Sequence, residues 1–279
     1  MLSNSRSPIG IFDSGVGGIS VLRAVINQMP AESAIYFGDQ AHIPYGLRAM
    51  EQIRNFSEAI TGFLLAQDTK IIVVACNTAS AAALKHLREK FPNMQFVGME
   101  PAVKPAAEYT HTGRVGVLAT PATFQGAMYA SVVERFANGV ELFQSTCPGL
   151  VRQIEQGKLE GEETRRILEE ALLPMLENQI DTVVLGCTHY PFVIPLIQQI
   201  VGDNVRVIDP APAVARQTER LLEARGMRTP SRSKGEVKFY TSGDPGALTS
   251  LLPMLVGENG DVEKAEWLNE RQITSTHGS

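Results

Sequence analysis

With 279 residues, 44% of them hydrophobic and 20% charged, the chain can bury a substantial core in one or two domains. A formal net charge of −5 gives no support for non-specific nucleic-acid binding. No apolar run is long enough for a membrane helix and none follows a basic start, so a cytoplasmic protein with no membrane and no nucleic-acid partner is expected.

After a polar lead at residues 1–7, expected to be loose, residues 9–12 predict a first strand. It ends in Asp13-Ser14-Gly15-Val16-Gly17-Gly18. Residues 19–29 have helical spacing, with Ile19, Leu22, Val25, Ile26 and Met29 on one side. Residues 34–37 predict a second strand closing at Gly38-Asp39, and 42–46 (HIPYG) a loop. A long amphipathic helix is expected at 49–65 and a third strand at 71–75. A helix at 78–90 follows, capped by Asn77 or Thr78. Residues 95–98 predict a short strand, and Glu100-Pro101 opens a helical segment towards Glu108.

The pattern then restarts. Strands are expected at 114–119, 140–143, 181–186 and 205–208, and helices at 120–136, 150–156, 160–179 and 192–201. A helix at 209–225, an exposed basic loop at 227–235, a strand at 236–241 and a helix at 247–255 follow. A last strand near 262–267 and a frayed tail at 277–279 close the chain. This alternation implies an α/β fold with mostly parallel sheets covered by helices. GIFDS (10–14) shares its layout with GVLAT (116–120), and VVACNT (73–78) with VVLGCT (183–188). The expectation is two similar α/β domains facing each other across a cleft: residues 1–99 plus 209–279, and residues 100–208.

Parallel α/β sheets bind ligands outside the carboxyl ends of their strands. Asp13, Ser14, Asp39, Cys76, Asn77, Thr78, Cys187, Thr188 and His189 all fall at such ends. One cysteine from each domain suits a reaction in which a proton leaves one face of a carbon and returns on the other. Both cysteines precede predicted helix starts, whose backbone N–H groups favour anions. With the side chains of Ser14, Asn77, Thr78 and Thr188, those groups suit carboxylates.

Plainer readings stand beside these. Cys76 and Cys187 also read as small buried hydrophobes, Asp13 as a helix cap and His189 as a structural histidine. Cys147 reads as a turn or packing residue, and Asp39 and Tyr45 as ordinary loop residues. Three cysteines are too few for a disulfide framework, and the five histidines form no His-x-x-x-His pattern, so no structural metal is expected. A metal set of Asp13, Asp39 and His189 has still less behind it. Gly15-Val16-Gly17-Gly18 invites a nucleotide reading with Asp39 on a ribose, but Ser20 stands where the dinucleotide fingerprint has its last glycine. A nucleotide-linked oxidoreductase and an anion-binding protein without turnover are the rival readings.

FDSGVGG (12–18), YFGD (36–39), PYG (44–46), ACNTAS (75–80) and GCTHYP (186–191) together resemble the bacterial glutamate racemases. The likeness runs from about residue 9 to residue 244, and the tail after about Leu255 adds nothing to it. The resemblance implies cofactor-independent interconversion of L- and D-glutamate, supplying D-glutamate for peptidoglycan, in a homodimer of two-domain chains. It puts the proton-transferring cysteines on Cys76, acting on D-glutamate, and Cys187, acting on L-glutamate. Asp13 and His189 are the assisting residues, and CPGLVRQIE (147–155) places a further one at Glu155. Substrate contacts fall on Asp13, Ser14, Pro44, Tyr45, Gly46, Asn77, Thr78 and Thr188. His42 stands where the family more often has arginine. The short lead implies no dependence on a peptidoglycan precursor.

Overall fold

All five residues of β1 (Ile9–Asp13) are buried, as a central parallel strand covered on both faces requires. The computed structural model describes residues 4–269 and 271–275. After β1 the chain turns through glycines into α1 (Ile19–Gln28) and returns as β2 (Ala34–Gly38). α2 (Met50–Ala66) buries Ile53, Phe56, Ile60, Phe63 and Leu64, a stripe at three- and four-residue spacing. β3 (Ile71–Val74), α3 (Asn77–Lys90) and β4 (Phe96–Gly98) follow.

The chain divides into two compact units, Met1–Met99 with Ala211–Ser279, and Glu100–Pro210. The second unit comprises α4 (Val103–Tyr109), β5 (Arg114–Ala119), α5 (Pro121–Gln125), α6 (Ala127–Phe136) and β6 (Glu141–Ser145). It continues through α7 (Leu150–Glu155), α8 (Glu162–Glu177), β7 (Thr182–Gly186), α9 (Ile194–Val201) and β8 (Arg206–Ile208). The chain then re-enters the first unit with α10 (Ala211–Ala224), β9 (Val237–Thr241), α11 (Pro245–Leu255), β10 (Val262–Asn269) and β11 (Gln272–Ser275).

The first sheet has the order β11-β10-β9-β2-β1-β3-β4 and the second β6-β5-β7-β8. Each contains the same four-strand arrangement: the opening strand is flanked on one side by the next strand in sequence and on the other by the third. The winding direction therefore reverses beside β1 in one unit and beside β5 in the other, where open α/β sheets place ligands. Parallel register aligns the strand ends, with Asp13 opposite Gly38, Phe12 opposite Val74, and Gly38 opposite Thr241. In the second unit Ala119 pairs with Gly186. Ile9, Ile11, Ile72, Val73, Val183 and Val184 are almost fully buried. Each such side chain contributes about 1.5–3 kcal/mol by leaving water. Packing thus fixes the strands, and the polar residues just beyond them are held in place. The second unit's core joins Val103 and Ala106 of α4, Val115 and Val117 of β5, Tyr129 and Val132 of α6, and Val184 of β7.

Several local expectations change. The helix expected over 120–136 is two helices, because Gly126 is extended (φ −71°, ψ 137°). Thr120 caps the first of them, its hydroxyl accepting from Thr123 N. Residues 42–46 lie among two short 3-10 turns, Gln40–His42 and Tyr45–Leu47, joined across a cis Ile43–Pro44 peptide. The strand near 262–267 is longer and continues into β11, which pairs antiparallel with β10 and makes the first sheet mixed at that edge. In the lead, Ser7 is buried and its hydroxyl donates to Asp68. The loop at 227–235 is pinned at its start, where Arg228 pairs with Glu219 and Glu223 and the Thr229 N–H donates to Glu32. Residues 1–3 of the lead and the tail at 277–279 lie outside the described residues. No described helix is long and apolar enough to cross a membrane.

Candidate active site

In the first unit the ends of β1, β2, β3 and β9 bring together Asp13, Ser14, Asp39, Cys76 and Ser242, all buried. Cys76, rather than Asn77 or Thr78, caps α3: its sulfur accepts from Ala79 N at 3.4 Å. A strand running straight into a helix leaves that thiol facing the helix's unsatisfied N–H groups, an arrangement suited to negative charge. The thiol also donates to Ser14 Oγ at 3.9 Å. Asp13 Oδ2 accepts from Gly18 N at 2.8 Å, so the aspartate does brace the turn into α1.

Gly18 cannot be larger. A Cβ there would lie 2.6 Å from Asp13 Cβ and 3.0 Å from the Tyr36 hydroxyl. Gly18→Ala is expected to destabilise the chain by about 1–3 kcal/mol, read as a fall in Tm, because the overpacked wall includes Asp13 itself. An unchanged Tm would show that Asp13 yields freely.

Asn77 is buried at 3% exposure, yet neither its amide nitrogen nor its amide oxygen has a hydrogen-bond partner among the described residues. Buried amides are ordinarily satisfied, so this one is equipped to bind a ligand carrying both acceptors and donors. Thr78 is buried beside it. Pro44 is exposed, Gly46 half-buried and Tyr45 buried. Burial, reinforced by the negative charges of Asp39, Cys76 and Asp13, holds the Tyr45 hydroxyl's pKa well above the phenol range. Tyr45 is therefore a neutral hydrogen-bond donor at physiological pH.

In the second unit β7 delivers Cys187, Thr188 and His189, all buried. Cys187 Sγ lies 3.7 Å from His189 Nδ1, and His189 Nε2 lies 2.6 Å from Glu155 Oε1 at the end of α7. Burial alone would lower the His189 pKa. Hydrogen bonds to Cys187 and Glu155, together with their charges, outweigh it and raise that pKa well above the ordinary histidine value. The arrangement favours the imidazolium, held between the Glu155 carboxylate and the Cys187 sulfur. Cys147, with φ 43°, sits in the preceding turn, and burial pushes its thiol up to about 12. It stays protonated, in keeping with a packing role. The Tyr190 hydroxyl, its pKa raised first by burial, donates to Thr146 O at 3.3 Å.

Residues 9–218 match the family model for Asp/Glu/hydantoin racemases. The chain belongs to this racemase family. A glutamate racemase of Pseudomonas paraeruginosa is 48% identical over 265 residues, covering 95% of this chain and all of that protein. Among solved structures, the glutamate racemase of Francisella tularensis in complex with D-glutamate superposes with a TM-score of 0.81 at 29% identity. It covers 94% of this chain and 98% of its own. That of Escherichia coli, in complex with L-glutamate and the activator UDP-MurNAc-Ala, gives a TM-score of 0.82 at 33% identity, covering 94% and 99%.

Within this racemase fold, Asp39 is more than the ordinary loop residue its sequence context suggests. It is fully buried. Its Oδ2 accepts from the Tyr45 hydroxyl at 2.6 Å, and its Oδ1 from Ser242 at 2.7 Å and from the Trp267 indole at 2.8 Å. His42 Nδ1 lies 3.1 and 3.0 Å from the two oxygens. A carboxylate so occupied is not presented to a ribose, which removes the main support for the nucleotide reading. No three His, Cys, Asp or Glu side chains gather to hold a metal among the described residues. YFGD marks Asp39 in the sequence, but nothing marks Trp267, 228 residues away from Asp39.

Proposed function

We propose that the chain interconverts L- and D-glutamate, without a cofactor, by proton transfer through Cys76 and Cys187. The observation that carries this reading is the equivalent placement of the two thiols. Each lies just beyond the strand across the winding reversal of its own unit, followed by buried polar side chains. The relatives that hold D-glutamate in one case and L-glutamate in another support both enantiomers as substrates.

On this reading the two units face each other across a cleft, and one thiolate takes the α-proton from one face of the substrate. The electron pair left on Cα then takes a proton from the opposite thiol, so the two sulfurs exchange protonation states with each turnover. Cys187 acts on L-glutamate and Cys76 on D-glutamate. The His189 imidazolium offsets the charge on Cys187 whenever that sulfur is deprotonated, and Glu155 fixes the orientation of the ring. Asp13, at the end of the strand beside Cys76, assists on the other side. The amide of Asn77 and the hydroxyls of Ser14, Thr78 and Thr188, with the Pro44-Tyr45-Gly46 segment, bind the carboxylates and ammonium. Excluding water strengthens each of these interactions as negative charge develops on the substrate. The physiological role is supply of D-glutamate for peptidoglycan in the cytoplasm, by a homodimer.

Polarimetric circular dichroism on the purified chain, with each glutamate enantiomer and no added cofactor, is expected to show decay of the signal to zero from both sides. A constant signal from both enantiomers would overturn the reading. Aspartate, one methylene shorter, is expected to turn over at least about tenfold more slowly, the discrimination a single methylene supports.

A further inference from the structure

Trp267 is the only tryptophan of the chain and lies in β10, far beyond the motifs that carry the family likeness. Its indole N–H ends on Asp39 Oδ1. Its ring meets His42 edge-on at 4.8 Å and Phe56 at 5.4 Å. His42 in turn stacks on Phe56 at 4.0 Å, with the planes 15° apart. Four chain segments therefore converge on one buried carboxylate: the end of β2, the 42–46 loop, the end of β9 through Ser242, and β10 through Trp267. Ser242 holds the loop a second time, accepting from Ala41 N at 3.0 Å. The other oxygen of Asp39 takes the Tyr45 hydroxyl, so the indole and the phenol are two bonds apart.

A carboxylate held by donors from several chain segments is directional. Removing the indole or the Ser242 hydroxyl leaves Oδ1 to the other of the two and to His42 Nδ1, and the carboxylate turns towards the donors that remain. The segment that must follow is the short loop bearing Pro44, Tyr45 and Gly46. We propose that Trp267 and Ser242 are positioning residues, which set the substrate-binding loop through Asp39, and that β10 is part of the binding apparatus of the first unit. This rests on the glutamate-binding role of the loop given above.

The tests use the full chain. Trp267→Phe keeps an aromatic ring and removes the N–H, and Ser242→Ala removes the hydroxyl on the same Asp39 oxygen. Each is expected to raise KM for both glutamate enantiomers about tenfold, the loss typical of one hydrogen bond to a charged group, with kcat within about twofold of the parent. The double variant is expected to exceed either single by less than the product of the two effects, since both donors act on one oxygen. Leu268→Ser, a change at a neighbouring exposed position of β10, is expected to leave KM unchanged.

In the parent chain, titration with glutamate is expected to change Trp267 emission with a midpoint near KM. Parent KM values in both variants, with only a lower Tm, would reduce Trp267 to packing and overturn the proposal. A tryptophan spectrum unmoved by saturating glutamate would overturn it as well, even if Trp267→Phe failed to fold. If the parent binds glutamate with that emission change but does not racemise it, the functional reading fails and the positioning role stands.

Discussion

Cys76→Ser and Cys187→Ser are each expected to lower racemisation at least about 10³-fold in both directions, because a hydroxyl is a far weaker base than a thiolate near neutral pH. Both directions fail together, since each needs one sulfur to take a proton and the other to give one. The double variant is expected to be little worse than either single, as for groups that act as a unit. Both sulfurs are small and buried, at 5% exposure each, so serine is close to isosteric and Tm should move little. Cys147→Ser is the internal control. Its thiol stays protonated well above neutrality and has no place in the proton relay, so turnover should be retained. A Cys76 or Cys187 variant that kept a tenth of the parental rate would dispose of the two-thiol scheme.

Glu155→Gln is expected to shift the alkaline limb of the L-to-D reaction to lower pH and to cost about 10²-fold in kcat/KM near pH 8, within the range of acid–base contributions. The direction follows from the forces on His189. Burial pushes the imidazole towards neutrality, and the hydrogen bonds and charges of Cys187 and Glu155 oppose it. With Glu155 neutralised, burial has less against it and the ring loses its proton earlier as pH rises. Stability follows the same linkage. The folded-state His189 pKa lies above the unfolded one, so the group contributes stability that is complete below about pH 6.5 and lost as pH rises through the folded value. The Tm gap between parent and Glu155→Gln should therefore be widest below that pH and narrow on the alkaline side. Superimposable pH–rate profiles would show that Glu155 does not act through His189.

The strands and the polar residues beyond them were readable in sequence because a buried parallel strand is a short, nearly uninterrupted apolar run. Val73-Val74 before Cys76 and Val183-Val184 before Cys187 have no other economical explanation. The repeated four-strand order was foreshadowed by the matching GIFDS and GVLAT segments. What could not be read depended on geometry between distant segments. That Cys76 caps α3 requires the sulfur's direction, which spacing does not give. The Glu155–His189 contact joins a helix end to a strand end across 34 residues. Asp39 looked like a loop residue because Ser242 and Trp267, which hold its Oδ1, come from the end of β9 and from β10, and only the folded sheet assembles them. Residue 126 is a single glycine in a helical pattern, too weak a signal to reveal a break.

The first unit is built from both ends of the chain, with the second inserted between Met99 and Ala211. Its sheet seats β9 directly against β2, so a seam opened near residue 38 is closed only some two hundred residues later. The inserted unit is contiguous and can consolidate during synthesis, while its host must wait for β9 and β10 to emerge. A nascent chain stalled once Pro210 has left the ribosome would present a structured middle flanked by an unfinished β-sheet edge, a species prone to mispairing.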